Sequence, residues 1–185
     1  MNLGEELVAS YLEYIKGCEF IQQNLYTPEV QGEIDVVGLD LHSRSIYICE
    51  VAIHLQTGLQ YTKDNRPNNV NKLIEKFSKD IEYANKYFPE YKKIFMLWTP
   101  IIKRAKEDAK NDQERDLEIV KTELKSKYQI DLELVINDRF LECIKEMRKY
   151  ASEQTEDIKS VVLRLFQIEE YTKKHVEKMD KKNNK

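Results

Sequence analysis

The stretch Gly32-Glu33-Ile34-Asp35-Val36-Val37-Gly38-Leu39-Asp40-Leu41-His42-Ser43-Arg44-Ser45-Ile46-Tyr47-Ile48-Cys49-Glu50-Val51-Ala52 decides the reading of this chain. Two runs rich in β-branched and aromatic residues, 33–41 and 45–55, flank a short polar turn, His42-Ser43-Arg44, and predict a hairpin. Each strand carries a carboxylate among apolar neighbours: Asp35 between Ile34 and Val36, and Glu50 before Val51. Such a group is costly to bury unless it is paired or bound to metal. Both stand at similar distances from the turn, so they face each other across the ladder, where like charges destabilise. A divalent cation resolves the conflict, and hard oxygen ligands suit Mg²⁺ or Mn²⁺. Alternatively, both carboxylates lie on the solvated face of an edge hairpin.

Working outward, Leu3, Leu7, Val8, Tyr11, Leu12 and Ile15 share one helical stripe over 3–16, and Gly17 ends it. Residues 19–26 form a short strand and 27–32 a turn. Residues 56–69 are a polar loop, and Asn69 caps a helix over 70–88. The apolar run 93–102 is a fourth strand, followed by a charged helix over 103–127, a fifth strand over 130–136 and further helices. The lysine-rich end, 173–185, is expected to fray. The order α-β-β-β-α-β, then α-β-α-α, predicts an α/β protein with a mixed sheet flanked by helices. Residues 1–150 form the main domain, and 151–185 a C-terminal helix and tail.

Composition sets the bounds. With 185 residues, 41% apolar and 34% charged, the chain suits one core. No apolar run reaches the roughly 20 residues of a membrane span, so no membrane association is expected. The three cysteines, Cys18, Cys49 and Cys143, are too scattered for a disulfide framework or a zinc site. They predict reduced thiols in a cytoplasmic protein. Charge is uneven: residues 1–60 hold two basic and nine acidic residues, leaving 28 of the 30 basic and 24 of the 33 acidic to the remainder. A carboxylate-rich block repels phosphate unless a divalent cation sits within it.

Four short motifs, in order, carry a resemblance. Gly4-Glu5-Glu6-Leu7 opens the first helix, which continues through Tyr11-Leu12-Glu13. Gly17-Cys18-Glu19-Phe20-Ile21 leads to Asn24. Gly32-Glu33-Ile34-Asp35 and Ile48-Cys49-Glu50-Val51 follow. Together they resemble small resolvase-like members of the PD-(D/E)XK nuclease superfamily, over residues 4–55 in register and in element order to about residue 102. The resemblance implies a restriction-endonuclease-like core, αβββαβ with a central mixed sheet, plus extra C-terminal helices. It also implies a Mg²⁺- or Mn²⁺-dependent endonuclease acting on nucleic acid, with DNA the expected substrate, in restriction, phage defence or repair. Asp35 and Glu50 match the metal ligands, with the Val51 carbonyl as a third. Glu5 matches a first-helix glutamate that supports the metal, and the same residue also suits the helix dipole. Glu6, about 100° further round, points to solvent.

The family's lysine would occupy position 52, where this chain has Ala52. Three explanations stand. Strand alternation puts His54 on the face of Glu50, about 6–7 Å along. Lys72 or Lys76 enters from the following helix. Or the site does not cleave, and the chain is a nuclease-fold module that binds nucleic acid or a partner protein. Phosphate contacts are expected from Lys63 and Arg66, in a polar loop before a helix N-terminus, and from Lys76, Lys103 and Arg104. The loop equally suits an ordinary surface. Trp98, Tyr83 and Tyr87 read as core. A homodimer is compatible with the resemblance, and a module pairing through its charged helices is the reading without it.

Overall fold

The computed structural model describes residues 2–27, 30–105 and 112–183. The elements run α1 (Leu3–Tyr14), β1 (Phe20–Thr27), β2 (Val30–Asp40), β3 (Ser45–Val51), β4 (Thr62–Lys63), β5 (Arg66–Pro67), α2 (Asn69–Tyr87), β6 (Lys92–Thr99), α3 (Gln113–Tyr128), β7 (Glu133–Ile136), α4 (Asn137–Glu153) and α5 (Val161–Asn183). This is the expected order with a two-stranded ribbon, β4–β5, inside the polar loop.

Five strands form one mixed sheet in the order β1-β2-β3-β6-β7. β1, β2 and β3 are an antiparallel meander, whereas β6 runs parallel to β3 and β7 parallel to β6. A parallel neighbour needs a crossover, and α2 supplies it between β3 and β6. Helices cover both faces. On one face Val8, Leu12, Val36, Cys49, Trp98, Met147 and Leu163 are buried together, from α1, the sheet, α4 and α5. On the other, Ile48, Leu97, Leu73, Phe77, Ile81 and Leu124 join the sheet to α2 and α3. β3 and β6, covered on both sides, read as near-continuous apolar runs for that reason.

Several boundaries differ from expectation. β1 and β2 extend into the predicted turn; Pro28 and Glu29 lie outside the described residues. β3 stops at Val51, four residues early. The β2–β3 ladder ends at the pair Val36–Cys49. Beyond it the Val51 N–H donates to the Asp35 carboxylate at 2.7 Å instead of a main-chain carbonyl. The chain then turns through Gly58, at φ +67. α2 begins at Asn69, whose side chain does not cap it but accepts from Tyr61 N–H at 2.7 Å and donates to Asp116 at 2.8 Å. α3 starts at Gln113 rather than 103, with Asp112 accepting the Arg115 N–H at 3.2 Å as its cap. Residues 106–111 of that predicted helix lie outside the described residues.

At the C-terminus, α4 runs through position 150 without a break, and Ala151, Val162, Leu163 and Phe166 are buried in the same core as α1. Ser160 meets Ser10 of α1 at 2.6 Å. Helix α5 extends to Asn183 through the stretch expected to fray, and residues 184–185 lie outside the described residues. Tyr83 is half-buried and packs against the core, whereas Tyr87 is 47% exposed and lies outside it; Trp98 is fully buried. All three cysteines are buried and free. Among the described residues no helix is long and apolar enough to cross a membrane.

Candidate active site

The meander and the crossover helix converge on three buried carboxylates, Asp35, Glu50 and Asp80, and one half-buried lysine, Lys76. Continuing the β2–β3 register one step past Val36–Cys49 sets Asp35 opposite Glu50, the juxtaposition expected from the hairpin. Glu50 is 1% exposed and Asp35 6%. A lysine holds the two apart. Lys76, from the second turn of α2, forms an ion pair with Glu50 and stands 3.6 Å from Asp35. One turn further along α2, Asp80, 3% exposed, faces the same point. Lys76 and Asp80 border the apolar stripe Leu73, Phe77, Ile81 and Ala84 that seats α2 on the sheet. Helical spacing therefore delivers both to the sheet surface.

The electrostatics follow from the burial. Desolvation, with Asp80 and Asp35 adding repulsion and Lys76 offsetting part of it, pushes the Glu50 carboxyl well above its ordinary range. Burial likewise raises Asp80, to about 7. Burial alone would lower the Lys76 ammonium, but Glu50 and Asp35 outweigh it and raise its pKa, so Lys76 is cationic throughout the neutral range. Glu50 Oε1 and Asp80 Oδ2 are buried without a hydrogen-bond partner. Buried carboxylate oxygens without donors call for a shared proton or a cation.

A pH dependence follows. Asp80 faces Glu50 and Asp35 from the sheet, and Lys76 and Lys79 from its own helix. Its native pKa of about 7 lies above its ordinary 3.8. Between these values the native state keeps a proton that the unfolded chain has released, so Asp80's contribution to stability falls as pH rises through the window. Without divalent metal, Asp80→Asn is expected to match the parent at about pH 3.5 and to be more stable than it at pH 8. Urea denaturation in EDTA at the two pH values measures this difference.

The other expected site residues fall at varying distances. Glu5 is buried, and its two carboxylate oxygens accept from Asn2 at 2.5 Å and Asn24 at 2.8 Å. Asn24, at φ +50, falls between the register pairs Gln23–Val36 and Leu25–Ile34, across from Asp35. Glu5 is thus tied to the neighbourhood of Asp35 through Asn24 and is amide-satisfied. Asn24→Ala removes one of those donors and the residue type best suited to a left-handed φ. It is expected to lower stability by about 1–3 kcal/mol, read as a shift in the urea midpoint at constant slope. Glu6 does not simply face solvent, because it accepts from Gln23 of β1 at 3.0 Å.

His54 does not share a strand face with Glu50. Strand β3 has ended, and His54 is exposed in the following turn. The lysine that reaches the carboxylates is Lys76 and not Lys72. Lys72 lies one turn earlier, on the rim, 3.5 Å from Glu75. Lys76, expected to touch nucleic acid, points inward instead. Lys63 and Arg66 are exposed on the β4–β5 ribbon. Lys103 bonds the Gln56 carbonyl, and Arg104 pairs with Glu114 at 3.5 Å. Both line a depression with Pro67 and Asn69, so they flank the ribbon loop as expected.

A cavity of about 290 Å³ opens onto Glu50, Lys76 and Asp80. Tyr26 and Tyr83 form part of its wall, with Lys72 and Lys79 beside them. Sequence reading missed Asp80 and Tyr83. The available signal was the spacing 76-80-83, one polar stripe beside the apolar stripe 73-77-81-84.

Among the described residues, no group of three or more His, Cys, Asp and Glu side chains is arranged to hold a metal ion. The donors present are the Asp35 and Glu50 carboxylates, hard oxygen ligands of the type Mg²⁺ and Mn²⁺ take, one of them with an unpartnered buried oxygen. In donor chemistry the residues fit such an ion, with Lys76 as the resident cation that competes for Glu50.

No family model matches this chain, and neither a curated protein nor a solved structure matches it. Its class therefore rests on its own structure: an α/β protein with a five-stranded mixed sheet and a buried carboxylate–lysine cluster where a meander meets a crossover helix.

Proposed function

We propose that the chain is a metal-dependent nuclease that hydrolyses phosphodiester bonds, with DNA as the favoured substrate, built on a restriction-endonuclease-like core. The observation that carries this reading is the position of Lys76. Residue 52 carries only a methyl group, yet an ammonium from α2 stands at both Asp35 and Glu50. The element order and the parallel crossover after the meander agree with it.

Asp35 and Glu50, with the Val51 carbonyl, are the groups that would hold Mg²⁺ or Mn²⁺. Such an ion supplies phosphate neutralisation and a bound water of lowered pKa. Asp35 fixes the open end of the hairpin by accepting the Val51 N–H, which keeps the two carboxylates in register. Lys76 is a preorganised positive charge in a site of low dielectric, where it stabilises charge developing on the phosphate far more than it would in water. Lys72 at the rim, and Lys63, Arg66, Lys103 and Arg104 around the ribbon loop, are the groups placed to track the phosphate backbone.

The test is a substrate panel: labelled single- and double-stranded DNA, and RNA, incubated with Mg²⁺, Mn²⁺ or EDTA. Cleavage in metal and none in EDTA, falling steeply with added salt, is the expected result. No product above the EDTA lane on any substrate contradicts the reading. One observation favours a second reading, a non-cleaving module that binds nucleic acid or protein: Lys76 already neutralises Glu50, as a purely structural ion cluster would. That reading requires that divalent metal leave the protein's stability unchanged.

A further inference from the structure

The cavity over Glu50, Lys76 and Asp80 is not walled by charge alone. Tyr26, Tyr83 and Ile34 also line it. Gripping a phosphate backbone takes cations and polar donors, and no aromatic wall. Tyr26 stands on the edge strand β1 and is 72% exposed, so the core does not account for its ring. Its phenol bonds Glu33, its partner across the β1–β2 ladder, which holds the ring at the cavity. Tyr83 comes from a different element, one turn beyond Asp80 on α2. It is braced by Tyr87 and Phe88, with ring centres 4.8 and 6.2 Å away.

We propose that this cavity holds one unpaired base of the nucleic-acid substrate against Tyr26 and Tyr83, while the adjoining phosphate reaches Glu50 and Lys76. The inference rests on the nuclease reading of the same site and deepens it, naming the substrate class as single-stranded nucleic acid. A volume of about 290 Å³ lies at the lower end of small-ligand pockets, about 300–1,000 Å³, and suits one nucleotide rather than a base pair. Within a duplex the faces of a base are covered by its neighbours, so it reaches the tyrosines only unpaired and unstacked. The base is neutral, and the carboxylate floor that repels phosphate does not repel it. Asp80 Oδ2, buried without a hydrogen-bond partner, is an acceptor for a base amino group. Helix α2 supplies the track. Lys72, Lys76, Lys79 and Tyr83 follow at steps of four, three and four, along one face. Cations beside a stacking ring are the combination by which single strands are bound. Lys72 and Lys79 meet Glu75 at 3.5 and 2.8 Å, exposed pairs of little strength that a phosphate displaces.

The test is equilibrium binding, read apart from cleavage. The probe is a short DNA strand carrying 2-aminopurine, a base whose fluorescence falls on stacking, titrated in Ca²⁺, an oxygen-seeking cation. The parent protein is expected to quench it saturably. It is expected to bind the fully paired duplex of the same sequence at least tenfold more weakly, because a paired base must first leave its stack. Tyr83→Ala and Tyr26→Ala are each expected to weaken single-strand binding by about 5- to 100-fold, the usual range for one lost stack. Tyr83→Phe and Tyr26→Phe are expected to weaken it far less, since the ring makes the contact. Tyr26 is an exposed residue, so its variants keep the test valid if Tyr83→Ala unfolds. Binding without quenching, duplex held as tightly as single strand, or alanine variants that bind like the parent each overturn the inference and leave the nuclease reading to the cleavage panel. Quenching that the alanine variants abolish, from a protein that cleaves nothing in Mg²⁺ or Mn²⁺, upholds the base pocket and overturns the nuclease reading.

Discussion

Lys76→Ala is expected to slow metal-dependent DNA cleavage by about 10²–10³-fold, the usual cost of losing one preorganised charge at a reacting centre. Lys72→Ala is expected to change it less than tenfold. The two lysines are one turn apart, and the contrast comes from their surroundings. Lys76 is held by Glu50 and Asp35, whereas Lys72 is a rim residue whose described ion-pair partner is Glu75. Loss of Lys76 also leaves two carboxylates without their cation, and removing one partner of a buried pair costs about 3–5 kcal/mol. Protonation of Glu50, already held well above its ordinary pKa by burial and by Asp80 and Asp35, relieves much of that. Lys76→Met keeps an unbranched aliphatic stem at this position and serves as the second variant if Lys76→Ala unfolds. Single-turnover cleavage at saturating Mn²⁺ separates a loss of chemistry from a loss of metal.

The second large effect is expected at the carboxylates. Asp35→Asn and Glu50→Gln are each expected to reduce cleavage to background and to weaken Mn²⁺ binding at least tenfold, read by titration calorimetry. They are expected to differ in stability. Asp35 accepts the Val51 N–H at 2.7 Å with a charged oxygen, and charge-assisted bonds of this kind are the stronger ones. Asp35→Asn should therefore lower the urea midpoint. Glu50→Gln removes a buried carboxylate with an unpartnered oxygen and should raise the midpoint above neutral pH. Opposite shifts in stability with equal loss of cleavage would separate the site from the scaffold.

Local features made much of this legible in the sequence. The hairpin could be read because two β-rich runs flank a three-residue polar turn, and that symmetry is what sets Asp35 against Glu50. Buried β6 could be read from its continuous apolar run. The end of β3 could not, because it depends on a side chain from the neighbouring strand, Asp35, capturing the Val51 N–H. His54 was misplaced by the same error, since face alternation holds only while the strand lasts. The choice between Lys76 and Lys72 needed the rotation of α2 on the sheet. That rotation is set by Leu73, Phe77 and Ile81 packing with Ile48 and Leu97, residues 16 to 33 positions away along the chain. Asp80 was invisible for a related reason: an acid inside a lysine-rich amphipathic helix reads as a surface residue until the partner strand is known.

The most direct measurement compares Mn²⁺ binding and DNA cleavage in the parent protein and in Lys76→Ala, side by side. The account predicts that the parent binds Mn²⁺ and cleaves, and that the variant binds Mn²⁺ at least as tightly, since its competing ammonium is gone, yet cleaves at least a hundredfold more slowly. A parent protein that binds no Mn²⁺ at millimolar concentration, or a variant that cleaves as fast as the parent, contradicts it.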